Sequence, residues 1–152
     1  MSGAGAEKGD GRVAQQFTKT PQGVEETVAL PLRIENKQTS TSSYTLTALD
    51  WHKISTAAAR AGEHPLFHIE LTVPGVGRVQ LAIITESLSD ALGVDGVAPW
   101  YRTEPARSFN ISWKRWCVPH PYRAIHLRWS GCIYHLVLVD YFEVKKRIEE
   151  YT

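Results

Sequence analysis

Three residues of the chain have the types and spacing to hold a divalent cation and an activated water together. Glu35 and Lys37 are separated by one residue at the end of the apolar run Val28-Ala-Leu-Pro-Leu-Arg-Ile34. On a strand, residues i and i+2 point to the same face, so this carboxylate and ammonium share one. Upstream, Lys8-Gly-Asp10-Gly-Arg12 offers a second carboxylate in a glycine turn. An aspartate brought in by the preceding strand completes an oxygen-rich site of the kind Mg²⁺ prefers. A cation so held positions water against a phosphodiester and neutralises charge on its oxygens. Read from residues alone, the Glu-x-Lys triplet fits equally a same-face ion pair on a solvated sheet.

The surroundings favour the chemical reading. The polar run Lys37-Gln38-Thr39-Ser40-Thr-Ser-Ser43 follows directly, and its amide and hydroxyls are groups that grip phosphates. Lys8 and Arg12 flank the upstream aspartate, and we take Lys8, Arg12, Gln38, Thr39 and Ser40 as candidate DNA contacts. Further along, Trp100, Trp113, Trp116 and Trp129 are interleaved with Arg102, Arg107, Lys114 and Arg115. Such a mixture either stacks on bases or packs in a core or interface. Arg102, Lys114 and Arg115 join the candidate DNA-binding set.

The elements that must position these groups follow from periodicity. Val28–Ile34 reads as a strand, with Pro31 at a bulge, an edge or the strand's start. Tyr44–Thr47 is β-prone. Asp50 is suited to cap a helix over Trp51–Ala61, with Trp51, Ile54, Ala57, Ala58 and Ala61 on one face and Gly62 closing it. Leu66–Val73 and Arg78–Ile84 form a hairpin around Pro74-Gly-Val-Gly77. Ala124–Trp129 and Cys132–Val139 form another around Ser130-Gly131, and Asp140 caps a terminal helix through Glu150. Residues 1–23 read as loop with one short strand.

The chain also repeats itself weakly. Ser43-Tyr-Thr-Leu-Thr47 matches Ser108-Phe-Asn-Ile-Ser112, Trp51 matches Trp116, and His64-Pro…Ile-Glu-Leu71 matches His120-Pro…Ile-His-Leu127. In this register Trp100-Tyr101-Arg102 stands where the first copy has Glu35-Asn36-Lys37. A catalytic half over residues 1–99 and a degenerate half over residues 100–152, used for DNA binding or dimerisation, are therefore expected within one domain of 152 residues.

Charge fits an acidic metal-binding half beside a basic phosphate-binding half, and fits chance scatter of solvated charge as well. Residues 1–100 hold 8 Lys/Arg and 11 Asp/Glu, and residues 101–152 hold 9 and 5, although the net charge of the chain is only +1. No apolar run reaches bilayer length and no secretory leader is evident, so a cytoplasmic protein without membrane association is expected. Cys117 and Cys132 have no zinc-type spacing, and no paired-histidine motif marks a transition-metal site. His68, His126 and His135 fall within strands, as core or surface residues.

The order Lys8-Gly-Asp10, Ile34-Glu35-Asn36-Lys37-Gln-Thr-Ser and Ser43-Tyr-Thr-Leu, followed by an amphipathic helix, resembles the PD-(D/E)XK nuclease superfamily. It is most similar to the archaeal-type and bacteriophage Holliday junction resolvases. The resemblance spans about Ser2 to Ile84. It implies an α/β, restriction-endonuclease-like fold, a mixed sheet flanked by helices. It assigns Mg²⁺ (with Mn²⁺ as substitute) to Asp10, Glu35 and the Asn36 carbonyl, and water orientation to Lys37. It also implies a homodimer acting on four-way DNA junctions in a bacterial cytoplasm. Relatives carry a further glutamate on an N-terminal helix. Here the Gly-rich stretch follows Met1 directly, and Glu7 is the nearest acid. Nucleases of flaps or duplexes, and inactive DNA-binding modules on the same scaffold, are the competing expectations.

Overall fold

The computed structural model describes residues 11–18, 27–94, 105–113 and 123–151. Its centre is a six-stranded mixed sheet in the order β1-β2-β4-β5-β8-β7. These strands are β1 (Gly11–Thr18), β2 (Thr27–Gln38), β4 (His64–Val73), β5 (Gly77–Thr85), β7 (Arg123–Trp129) and β8 (Cys132–Asp140). Among the described strands only β2 and β4 pair in parallel, as the crossover through α1 (Ala48–Ala61) between them requires. A second, two-stranded sheet joins β3 (Ser43–Thr47) to β6 (Ser108–Ser112).

Strand alternation divides the core into two layers. Phe67, Ile69, Leu71, Leu81, Ile83, Ile125, Leu127, Leu136 and Leu138 face α1 and the small sheet, burying Trp51 and Ile54 between them. The opposite face carries Leu30, Leu32, Ile34, Ala82, Ile84, Val137 and Val139. It is covered by α2 (Glu86–Leu92) and α3 (Tyr141–Glu150), through Leu88, Leu92, Val144 and Ile148. The architecture is thus a mixed sheet with helices on both sides. Among the described residues no helix is long and apolar enough to cross a membrane.

Local chemistry accounts for most boundaries. Pro31 is tolerated in an interior strand because the pairing of β2 with β4 begins only at Leu32, opposite His64. The β7–β8 turn uses Ser130 (φ 48°) and Gly131 (φ 80°), and positive φ at both positions matches the twist of a two-residue hairpin.

The sequence reading of α1 is corrected at its start. The helix begins at Ala48, and Thr47 is the cap, its hydroxyl accepting from the Asp50 N–H at 3.1 Å. Thr47 sits in extended backbone at the end of β3, the conformation that capping demands, so Asp50 moves into the first turn. Helix α2, absent from the sequence reading, is capped in the same way by Thr85 and closed by Gly93. Its seven residues are too few to show a helical period.

The matched segments occupy related places. Ser43 pairs with Ser112 and Thr47 with Ser108, so exchanging each residue for its sequence counterpart maps the β3–β6 pairing onto itself. Hairpin registers agree too, because Phe67 faces Ile83 while its counterpart Arg123 faces Leu138. Between the hairpins, Leu81 pairs with Asp140 and Thr85 with Leu136, again interchanged by the same exchange. Thr85 and Asp140, equivalent in this scheme, both cap the helix that follows. Self-complementary antiparallel pairings of this kind are what a local two-fold axis produces.

Candidate functional site

The face of β2 that meets α1 carries, in order, Arg33, Glu35 and Lys37, because Leu32, Ile34 and Asn36 alternate to the other side. Burial separates the three. Arg33 lies deep in the fold, its guanidinium 2.6 Å from the Glu63 carboxylate just past the end of α1. Glu35 and Lys37 emerge toward solvent, with Lys37 Nζ 3.4 Å from Glu35 Oε2 and side chains 23% and 41% exposed, respectively. They line a cleft of about 190 Å³ between the sheet and α1, completed by Asp50, Lys53, Ile54 and Phe67.

The cleft follows from how α1 is built. Capping by Thr47 leaves the Asp50 carboxylate uncommitted to the helix terminus, and Asp50 and Lys53, three residues apart, share one face. Trp51 and Ile54 turn into the core and seat the helix, with the rings of Trp51 and Phe67 6.5 Å apart. Tyr44 packs on Phe67, with 6.2 Å between ring centroids. Burial first, then the negative charges of Asp50 and Glu35, push its hydroxyl up to about 12. Both carboxylates therefore act on one phenol.

The donor set is two carboxylates with two ammonium groups beside them. Hard oxygen ligands suit Mg²⁺ or Mn²⁺, and flanking cations suit a phosphate, so the residues present fit the expected metal. Glu35 and Lys37 were expected from the sequence. Asp50 was missed because its position signalled a cap, and Lys53 because nothing in the pattern marks it.

The remaining expected residues lie elsewhere. Lys8, Asp10, Arg102, Lys114 and Arg115 lie outside the described residues, as do Trp100 and Trp116. The described register of β1 stops with Gly11 opposite Ile34, one residue short of Asp10 and Glu35, and Arg12 pairs with Arg33. Asn36 directs its side chain away from the cleft, bonding His68 Nδ1 at 2.8 Å, so only its backbone is available to the Glu35 side. Gln38 donates to Glu70 on that same far face.

Thr39 is tied into the strand connection. Its amide donates to the Glu70 carbonyl at 3.0 Å, its hydroxyl lies 2.8 Å from that of Thr41, and its carbonyl accepts from the Thr72 hydroxyl at 2.9 Å. Ser40 is exposed beside it. Trp113 and Trp129 pack partly buried against the core.

On the far face a second group gathers. Glu86, at the start of α2, meets the cross-strand pair His126 and His135, one donor atom from each lying within 4.8 Å of the others.

No family model matches the chain, and no curated protein or solved structure matches it either.

Proposed function

We propose that the chain is a metal-dependent DNA endonuclease of the PD-(D/E)XK kind, resolving four-way junctions. The observation that supports this reading best is that Glu35 and Lys37 open into one cleft with Asp50 and Lys53 of α1. An isolated surface ion pair would need no second carboxylate and no second lysine.

In this reading Glu35 and Asp50 hold the cation, with the Asn36 carbonyl as a further oxygen. Asp10 is assigned with them because it precedes Gly11, whose backbone lies opposite Ile34. Bound Mg²⁺ would supply charge neutralisation on the phosphate oxygens and a more acidic water. Lys37 orients the attacking water by donating to it, and Glu35 holds the ammonium in place across 3.4 Å. Lys53 sits where a second phosphate oxygen would be held. The two-fold symmetry of a four-way junction calls for two such sites, hence a homodimer with branched DNA as partner.

The test is cleavage of a labelled synthetic four-way junction beside a linear duplex of the same sequence, in Mg²⁺ and in EDTA. Paired nicks confined to the junction, absent in EDTA and in Glu35→Gln, are expected. Equal cutting of both DNAs would leave a nuclease of broader substrate range. Tight DNA binding with no cutting in Mg²⁺ or Mn²⁺ would make the chain a binding module.

A further inference from the structure

We propose that Glu86, His126 and His135 form a binding site for a divalent transition-metal ion of the zinc class, on the face of the sheet opposite the Glu35 cleft. The inference uses none of the nuclease reading.

His126 on β7 and His135 on β8 are directly paired across the hairpin, so their side chains leave the same face. Their rings meet edge-on with centroids 4.8 Å apart. Glu86 comes down on them from the first turn of α2, and the three donors lie within 4.8 Å of one another. A tetrahedral ion holds imidazole nitrogen and carboxylate oxygen at about 2.0–2.2 Å. Its donors are then about 3.3 Å apart, so small side-chain rotations close the site around it. Three protein ligands leave a fourth position to water.

A second observation points to a ligand. Glu86 Oε2 is buried and makes no hydrogen bond. The favourable field at a helix start accounts for an acid in the first turn. It does not account for a carboxylate oxygen withdrawn from water on a side chain that lies beside two imidazoles. A cation between the three groups does.

The two-fold relationship of the halves sharpens the contrast. The counterparts of Glu86, His126 and His135 are Tyr141, Glu70 and Gln80. There the space is filled, because the Tyr141 ring stacks on His68 at 3.8 Å and Gln80 bonds His68 Nε2 at 2.8 Å. Glu70 is turned to Arg78 at 3.2 Å. One half thus closes this position with a stacked, hydrogen-bonded cluster, and the other lines it with three metal-binding side chains. Two imidazoles and one carboxylate select Zn²⁺, Co²⁺ or Ni²⁺ over Mg²⁺.

The experiment is titration of chelator-stripped, untagged protein with Zn²⁺ by calorimetry and with Co²⁺ by visible absorption, using wild type, His135→Ala, Glu86→Gln and Glu35→Gln. His135 is exposed, so its removal spares the core. With millimolar Mg²⁺ present to fill the Glu35 cleft, one tightly held ion per chain is expected, with d–d bands from Co²⁺. His135→Ala and Glu86→Gln should each weaken binding at least about tenfold, with Glu35→Gln unchanged. Absence of stoichiometric binding, or binding that survives in His135→Ala and Glu86→Gln, overturns the proposal. So does binding lost only in Glu35→Gln, which would move the ion to the other cleft.

Discussion

Arg33 Nε stands 2.6 Å from Glu63 Oε1 with the two side chains only 3% and 8% exposed, two residues before Glu35 on the same strand face. The same kind of pair, Glu35 with Lys37, follows in the open. Burial decides what each can do. A charge withdrawn from water needs its partner, whereas an exposed pair adds little to stability and stays available to a ligand.

Breaking the inner pair is therefore expected to be costly. Glu63→Ala or Arg33→Ala should lose about 3–5 kcal/mol of unfolding free energy, because a buried charge loses its ion-pair partner at 2.6 Å. Lys37→Ala should change stability by less than about 1 kcal/mol. Under the nuclease reading it should lower junction cleavage on the order of 10²–10³-fold. Urea unfolding and single-turnover cleavage measure the two effects separately.

Tyr44 gives a pH-dependent signature of the cleft. Its folded-state value of about 12 lies above the value of about 10 expected when unfolded. The folded protein thus holds this proton more tightly, and the stability linked to it is complete below pH 10. That contribution is lost as the pH rises toward 12. Tyr44→Phe should remove this component of alkaline destabilisation. Glu35→Gln or Asp50→Asn should bring one tyrosinate absorbance transition down from 12, while leaving it above 10 because burial is the larger cause. A transition unmoved by either substitution would separate Tyr44 from the carboxylates.

The corrected helix start makes opposite predictions for neighbouring residues. Thr47→Ala removes the cap and should cost about 1 kcal/mol, with Thr47→Ser restoring most of it. Asp50→Ala leaves the Thr47 hydroxyl bonded to the same amide and should cost no more than about 0.5 kcal/mol. Were Asp50 the cap, the order of the two effects would reverse. Thermal unfolding of the single variants decides.

Much of this architecture was legible because local signals agreed. Alternation in Leu66–Val73 and Arg78–Ile84, the Pro74-Gly-Val-Gly77 turn and the Asp140 cap each specify an element without help from distant chain. Glu35 and Lys37 were legible for the same reason, since a period of two fixes their common face. Asp50 was not, because Thr47 and Asp50 are both competent caps and the choice depends on where β3 ends. The cluster of Glu86, His126 and His135 was invisible for another reason. Its members come from three elements, and only the pairing of β7 with β8 and the seating of α2 bring them together. Residues distant in sequence carry no spacing signature.

The seam between β5 and β8 joins the two hairpins by a single run of antiparallel pairs, from Leu81–Asp140 to Thr85–Leu136. It has the character of a subunit interface formed within one chain. Covalent connection of two such surfaces holds them at about millimolar effective concentration or above. Pairing across the seam is then insensitive to dilution, as it would not be for separate subunits. Connectivity does here what abundance does for an oligomer, and leaves each half free to change its side chains without the other having to match.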